Sequence, residues 1–131
     1  MAAPEPDQLC TSSGTILLVE DEEAVRRLAG MVLKAGGYTV LEARDGTEAL
    51  AMAEAHLDPI RLLITDLIMP NIGGWELARR LRSVRPGLKI LLMSGYTEWT
   101  LDDHGVSEGD LAFLQKPFTP ADLLRKVREV V

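Results

Sequence analysis

The sequence predicts an α/β domain in which a parallel sheet is wound through helices that cover both of its faces. Three observations predict it. From Thr15 onward, short apolar runs alternate with longer segments of helical spacing. The apolar runs are nearly continuous, as in strands buried on both faces. Polar residues follow the runs directly, and an open parallel sheet places its ligand crevice beyond the carboxyl ends of its strands.

The elements follow in order. TILLV (15–19) reads as the first strand. EEAVRRLAGMVLKAG (22–36) reads as the first helix, with Val25, Leu28, Val32 and Ala35 on its apolar face. Gly36 and Gly37 stop it. YTVLEA (38–43) is the second strand and GTEALAMAEAH (46–56) the second helix, with Ala49, Leu50 and Ala53 inward. RLLIT (61–65) is the third strand, WELARRLRSV (75–84) the third helix, KILLMS (89–94) the fourth strand and LAFLQ (111–115) the fifth. PADLLRKVREVV (120–131) closes the chain as a helix, with Thr119 as N-cap, Pro120 as first residue, and Leu123, Leu124, Val127 and Val130 facing the core. The alternation also calls for a helix in EWTLDDHGVSEGD (98–110), where Gly105, Gly109 and dense acidic residues favour a short or irregular one. Residues 1–14 are rich in Ala, Pro, Ser and Thr without periodicity and read as a leader or linker, leaving 15–131 as one domain.

Composition narrows the function. A chain of 131 residues that is 47% hydrophobic can bury a core. Its formal net charge of -6 argues against a nucleic-acid-binding face, and Arg79, Arg80, Arg82 and Arg85 read as a solvated helix surface. The single cysteine, Cys10, forms no internal disulfide, which fits a reduced, cytoplasmic setting. No apolar run reaches the length of a membrane span, and the N-terminus lacks a signal-peptide pattern.

The polar strand ends carry the chemistry. The first strand runs into Glu20, Asp21 and Glu22, the third into Asp66, the fourth ends in Ser94, and the fifth runs into Lys116 and Pro117. In one sheet these groups converge. Crowded carboxylates raise each other's pKa unless a cation intervenes. Oxygen-only ligands suit Mg²⁺. Zinc is disfavoured, because Cys10 lies in the leader and His56 and His104 are far apart in the chain. A carboxylate beside Mg²⁺ can attack phosphorus to form an aspartyl phosphate, with Lys116 neutralising the equatorial oxygens and Ser94 hydrogen-bonding the product. One member of the Glu20–Asp21 pair is expected to cap the first helix while the other faces the metal.

These residues resemble the response-regulator receiver domains of two-component signalling. The resemblance covers about residues 15–131 and rests on Glu20–Asp21 after ILLV, Asp66 in ITDLIMPNIGG, Ser94 in LLMSGY and Lys116 in FLQKPF, each at a strand end and in this order. It implies a flavodoxin-like doubly wound five-stranded sheet of order 2-1-3-4-5. It implies that Asp66 takes a phosphoryl group from a sensor-kinase phosphohistidine. It also implies Mg²⁺ held by Glu20, Asp21, Asp66 and the backbone carbonyl of Ile68. Ser94 and Phe113 would form the switch, read out on the face of the 98–110 helix, the fifth strand and the last helix. Ile68 and Tyr96 would flank the approach of hydrolytic water and set the phosphoryl lifetime. MSGYT and FLQKPFTPADLLRKVREV look like receivers attached to hybrid histidine kinases, so the domain is expected to stand alone or to come from a longer protein.

Other functions fit less well. A Mg²⁺-dependent phosphohydrolase with an aspartyl nucleophile usually carries a second aspartate two residues later, and Ile68 stands there. A flavin domain of this topology needs a phosphate-cradling loop after the first strand, and EDEE would repel phosphate. A receiver reduced to an interaction domain would not retain Glu20, Asp21, Asp66, Ser94 and Lys116 together. Such a module is no enzyme in the usual sense, since it modifies only itself. A phosphorelay intermediate, passing phosphate on to a histidine phosphotransfer protein, stays open.

Overall fold

The computed structural model describes residues 14–56, 60–69, 71–94 and 111–130. Residues 1–13 of the leader, the 98–110 segment and Tyr96 lie outside the described residues. The strands are β1 (Thr15–Val19), β2 (Thr39–Ala43), β3 (Ile60–Asp66), β4 (Lys89–Ser94) and β5 (Leu111–Gln115). The helices described are α1 (Glu23–Ala35), α2 (Gly46–His56), α3 (Gly74–Val84) and α4 (Pro120–Val130). The five strands form one parallel sheet in the order β2-β1-β3-β4-β5, the flavodoxin-like order that the resemblance implied.

Because strand side chains alternate between faces, the apolar runs supply two cores at once. Leu17, Val19, Leu63, Ile90 and Leu92 pack under α2 and α3 with Ala49, Ala53, Leu77 and Leu81. Ile16, Leu18, Leu62, Ile64, Leu91 and Met93 pack under α1 and α4 with Ala29, Leu33, Leu123 and Val127. The central strands are thus buried on both sides, and their only polar exits are at their ends.

Local chemistry sets the element boundaries. Past the end of α1, the Gly37 N–H bonds the Lys34 carbonyl and the Tyr38 N–H that of Leu33, with Gly37 at φ 101°. This is the 6→1, 5→2 pair of a Schellman stop, and its left-handed residue favours glycine. At α4 the Thr119 hydroxyl accepts the Asp122 N–H (3.0 Å) while the Asp122 carboxylate accepts the Thr119 N–H (3.2 Å). That reciprocal cap bears out Thr119 as N-cap with Pro120 first.

Two sequence readings need correction. Leu28 is 51% exposed and Ala35 is exposed, whereas Ala29, Gly30 and Leu33 are buried. The core-facing stripe of α1 is therefore rotated by about one residue, because Tyr38 and α4 pack against Ala29 and Leu33 from one side. Neither Glu20 nor Asp21 caps α1, since the N-cap is Glu22 and makes no side-chain capping bond. Both acidic residues lie before the helix, drawn into the strand-end pocket instead.

Candidate functional site

Order reverses between β1 and β3, and the pocket opens there. β1 delivers Glu20, whose N–H still bonds the Ala43 carbonyl at 3.1 Å. β3 delivers Asp66, which is its last residue and not the first after it, paired in register with Met93. The ladder runs that far because β4 continues alongside to Ser94. Asp66 is therefore held by strand geometry, which a flexible turn would not provide.

Glu20 is 1% exposed and Asp66 5%, while Asp21 is exposed. One carboxylate oxygen from each of the three lies within 4.8 Å of the others. Lys116 reaches in from beyond β5, with Nζ 2.6 Å from Asp66 Oδ1 and 2.8 Å from Glu20 Oε1. Its own N–H donates to the Ser94 carbonyl at 2.8 Å, which binds the two strand ends together. Ile68, Ser94 and these four residues line a pocket of about 410 Å³. The sequence-predicted groups thus converge, apart from Tyr96 outside the described residues and Phe113. Phe113 lies on β5 opposite Leu92, half-buried against the core under α2 and α3.

The electrostatics follow from two buried carboxylates served by one ammonium. Burial, reinforced by a hydrogen bond with Glu20, pushes Asp66 up to about 8 although Lys116 pulls the other way. Burial works against the Glu20 anion too, but hydrogen bonds with Asp66, Lys116 and the Glu22 N–H outweigh it and hold Glu20 below its ordinary value. Lys116 is desolvated, yet its bonds to Asp66 and Glu20 hold it above the usual lysine range. Burial and the neighbouring Glu20 therefore favour protonation of Asp66, while Glu20 stays the more acidic of the two. Three oxygen donors with an excess of negative charge fit a hard divalent cation, which would take the place of a proton there.

Two contributors were not found from the sequence. The buried Thr65 hydroxyl donates to the Asp66 carbonyl at 3.0 Å. The loop after β3 turns through Asn71 at φ 68° and closes where the Gly74 N–H meets the Leu67 carbonyl at 2.8 Å. A Cβ on Gly74 would lie 2.9 Å from the Asp66 carbonyl carbon. The glycine pair in NIGG marked a turn, but a close approach to Asp66 has no sequence signal.

A doubly wound sheet with an acidic pocket and a lysine at its switch point defines a class of phosphate-handling signalling module. The response regulator receiver domain model matches residues 16–128. The sensor kinase CckA of Brucella abortus (strain 2308) is 37% identical over 121 residues, which are 92% of this chain and 13% of that kinase. The response regulator receiver protein CpdR of the same strain is 34% identical over 116 residues, 88% of this chain and 95% of that protein. The crystal structure of the receiver domain from the hybrid histidine kinase CckA superposes with a TM-score of 0.76 at 41% identity, covering 88% of this chain and 97% of that one. The chain belongs to the response regulator receiver domain family, the phosphoacceptor modules of two-component signalling, and is similar to a hybrid-kinase receiver as the sequence suggested. Among the described residues no helix is long and apolar enough to cross a membrane.

Proposed function

We propose that Asp66 is the phosphoacceptor and takes its phosphoryl group from the phosphohistidine of a sensor kinase in the cytoplasm. What supports the reading is the buried Asp66 carboxylate at a strand end, bonded to Lys116 and within 4.8 Å of the Glu20 and Asp21 oxygens. An ionised Asp66 oxygen attacks phosphorus, the phosphorus–nitrogen bond breaks, and the imidazole leaves with the electron pair and is protonated from solvent. Lys116 turns from the carboxylates toward the phosphoryl oxygens, and Ser94 donates its hydroxyl to the product. Glu20, Asp21, Asp66 and the Ile68 carbonyl would hold Mg²⁺, which when bound neutralises developing phosphoryl charge. Glu20 and Lys116 also orient Asp66, and the packed strands exclude water from its inner side.

The test is incubation with acetyl phosphate followed by intact-mass measurement. One added phosphoryl group is expected, dependent on Mg²⁺ and lost in Asp66→Asn. Undiminished modification of that variant overturns the assignment.

A relay role is the second reading, favoured by the 41% identity to a hybrid-kinase receiver. Here the aspartyl phosphate is passed to a histidine phosphotransfer protein. Phosphorylated protein mixed with such a partner should lose its phosphoryl group to the partner's histidine faster than to water.

A further inference from the structure

We propose that Arg26 is a positioning residue for the metal site, acting through the backbone of Glu20; this rests on reading the acidic cluster as a Mg²⁺ site. Arg26 Nη1 donates to the Glu20 main-chain carbonyl at 2.9 Å. Its Nε lies 3.8 Å from Glu42 Oε1 on β2, and its side chain is 12% exposed. The adjacent Arg27 behaves quite differently: it is 72% exposed and, among the described residues, pairs with Glu23 one turn away, as an ordinary surface arginine does. Arg26 is instead folded back from α1 onto the end of β1.

The reason lies in Glu20. It stands one residue beyond the ladder of β1, so its carbonyl has left the regular pairing of the strand. A buried carbonyl in that position needs a donor. Arg26 supplies a charge-assisted one from inside the first turns of α1. A glutamate also has one more rotatable bond than an aspartate, so its carboxylate is placed only if both ends are held. The far end is held by the Glu22 N–H on Oε2 (3.0 Å) and by Lys116 on Oε1 (2.8 Å). The near end is held by Arg26. Glu42, which also lies 3.8 Å from Lys34 Nζ, aims the guanidinium.

Loss of Arg26 has two opposing consequences for a cation. Removing a nearby positive charge strengthens cation binding. Releasing the Glu20 backbone weakens it, as loss of groups that orient metal ligands generally does. The sign of the change therefore separates a positioning role from a purely electrostatic one.

The experiment is calorimetric titration of MgCl₂ into the full chain, with the urea midpoint of each variant taken in parallel. Arg26→Met should raise the Kd for Mg²⁺ about tenfold. Arg26→Lys, which keeps the charge and one donor, should recover part of that loss, and Glu42→Gln should show a smaller weakening. A folded Arg26→Met that binds Mg²⁺ as tightly as the wild type, or more tightly, overturns the proposal. Should Arg26→Met not fold, unchanged affinity in both Arg26→Lys and Glu42→Gln overturns it. If the wild type itself takes up no Mg²⁺, the metal-site reading falls and this proposal with it; if the wild type binds and the variants match it, only this proposal falls.

Discussion

Asp66 and Glu20 share a single ammonium, and much of the site's behaviour follows from that shortage. Asp66 sits at about 8 against an ordinary 3.8, chiefly through burial, so the folded chain keeps a proton that the unfolded chain has lost across that window. The stability this contributes is full below about 4 and is lost as pH rises through about 8. Glu20 runs the other way, its contribution disappearing only as pH falls below its ordinary 4.5, and Lys116 matters only above its ordinary 10.5. In metal-free protein the stability should therefore fall between pH 5 and pH 8 by on the order of 1–3 kcal/mol. Asp66→Asn should flatten that slope in urea titrations, and a slope unchanged by the substitution refutes the assignment of the proton. Mg²⁺ should reverse the trend, because its binding displaces the proton and tightens as pH rises. Ile68 carries a second residue-scale prediction. Its side chain is 67% exposed at the pocket, apolar and branched, so it gives a hydrolytic water nothing to bond. Self-dephosphorylation should be slow. Ile68→Asn and Tyr96→Glu should each hasten it roughly tenfold, equal to about 1.4 kcal/mol of barrier. A wild type that decays as fast as both variants defeats the water-exclusion argument.

Elements position these groups through backbone contacts more than through side chains. β3 carries Asp66 inside the ladder beside Met93, and the β3–α3 loop returns so closely that Gly74 packs on the backbone of Asp66 and Leu67. Nothing flexible stands in the way of an added methyl group there, since the atoms within 3.0 Å of it belong to the backbone. Gly74→Ala should destabilise the fold by roughly 1–3 kcal/mol, the usual range for overpacking. It should also displace Asp66 and weaken Mg²⁺ uptake. Gly87 is the control, because a Cβ there meets nothing within 4 Å. Equal urea midpoints for Gly74→Ala and Gly87→Ala contradict this account. Packing likewise sets the buried face of α1, since Tyr38 and α4 cluster with Ala29 and Leu33 while Leu28 is left exposed.

At the scale of the whole molecule, the phosphoryl group would act on the β4–β5 edge. Ser94 ends β4 and its carbonyl already binds the Lys116 N–H, while Phe113 lies two strand positions before Gln115, the register partner of Ser94. A phosphoryl group that draws the Ser94 hydroxyl toward Asp66 should let Phe113 turn inward, without the polar anchor that a tyrosine hydroxyl would give its outward state. Amide NMR shifts on phosphorylation should then extend through residues 111–118, and Ser94→Ala should confine them to the neighbourhood of Asp66. Shifts confined to that neighbourhood in the wild type count against the switch. Much of this architecture was legible in the residues alone. Continuous apolar runs separated by helical periods determine a parallel sheet, because only doubly buried strands tolerate such runs. Polar residues placed directly after the runs determine which edge carries the site, and Glu20, Asp21, Asp66, Ser94 and Lys116 do meet there. Tertiary structure alone decided that Lys116 bridges both buried carboxylates, that Asp66 remains within the strand with Thr65 and Gly74 against its backbone, and that Arg26 bonds the Glu20 carbonyl. The physical reason is range. Periodicity and polarity report what each segment buries, whereas a shared ammonium, a gripped carbonyl or a missing Cβ depends on which distant segments are brought within a few ångströms of one another.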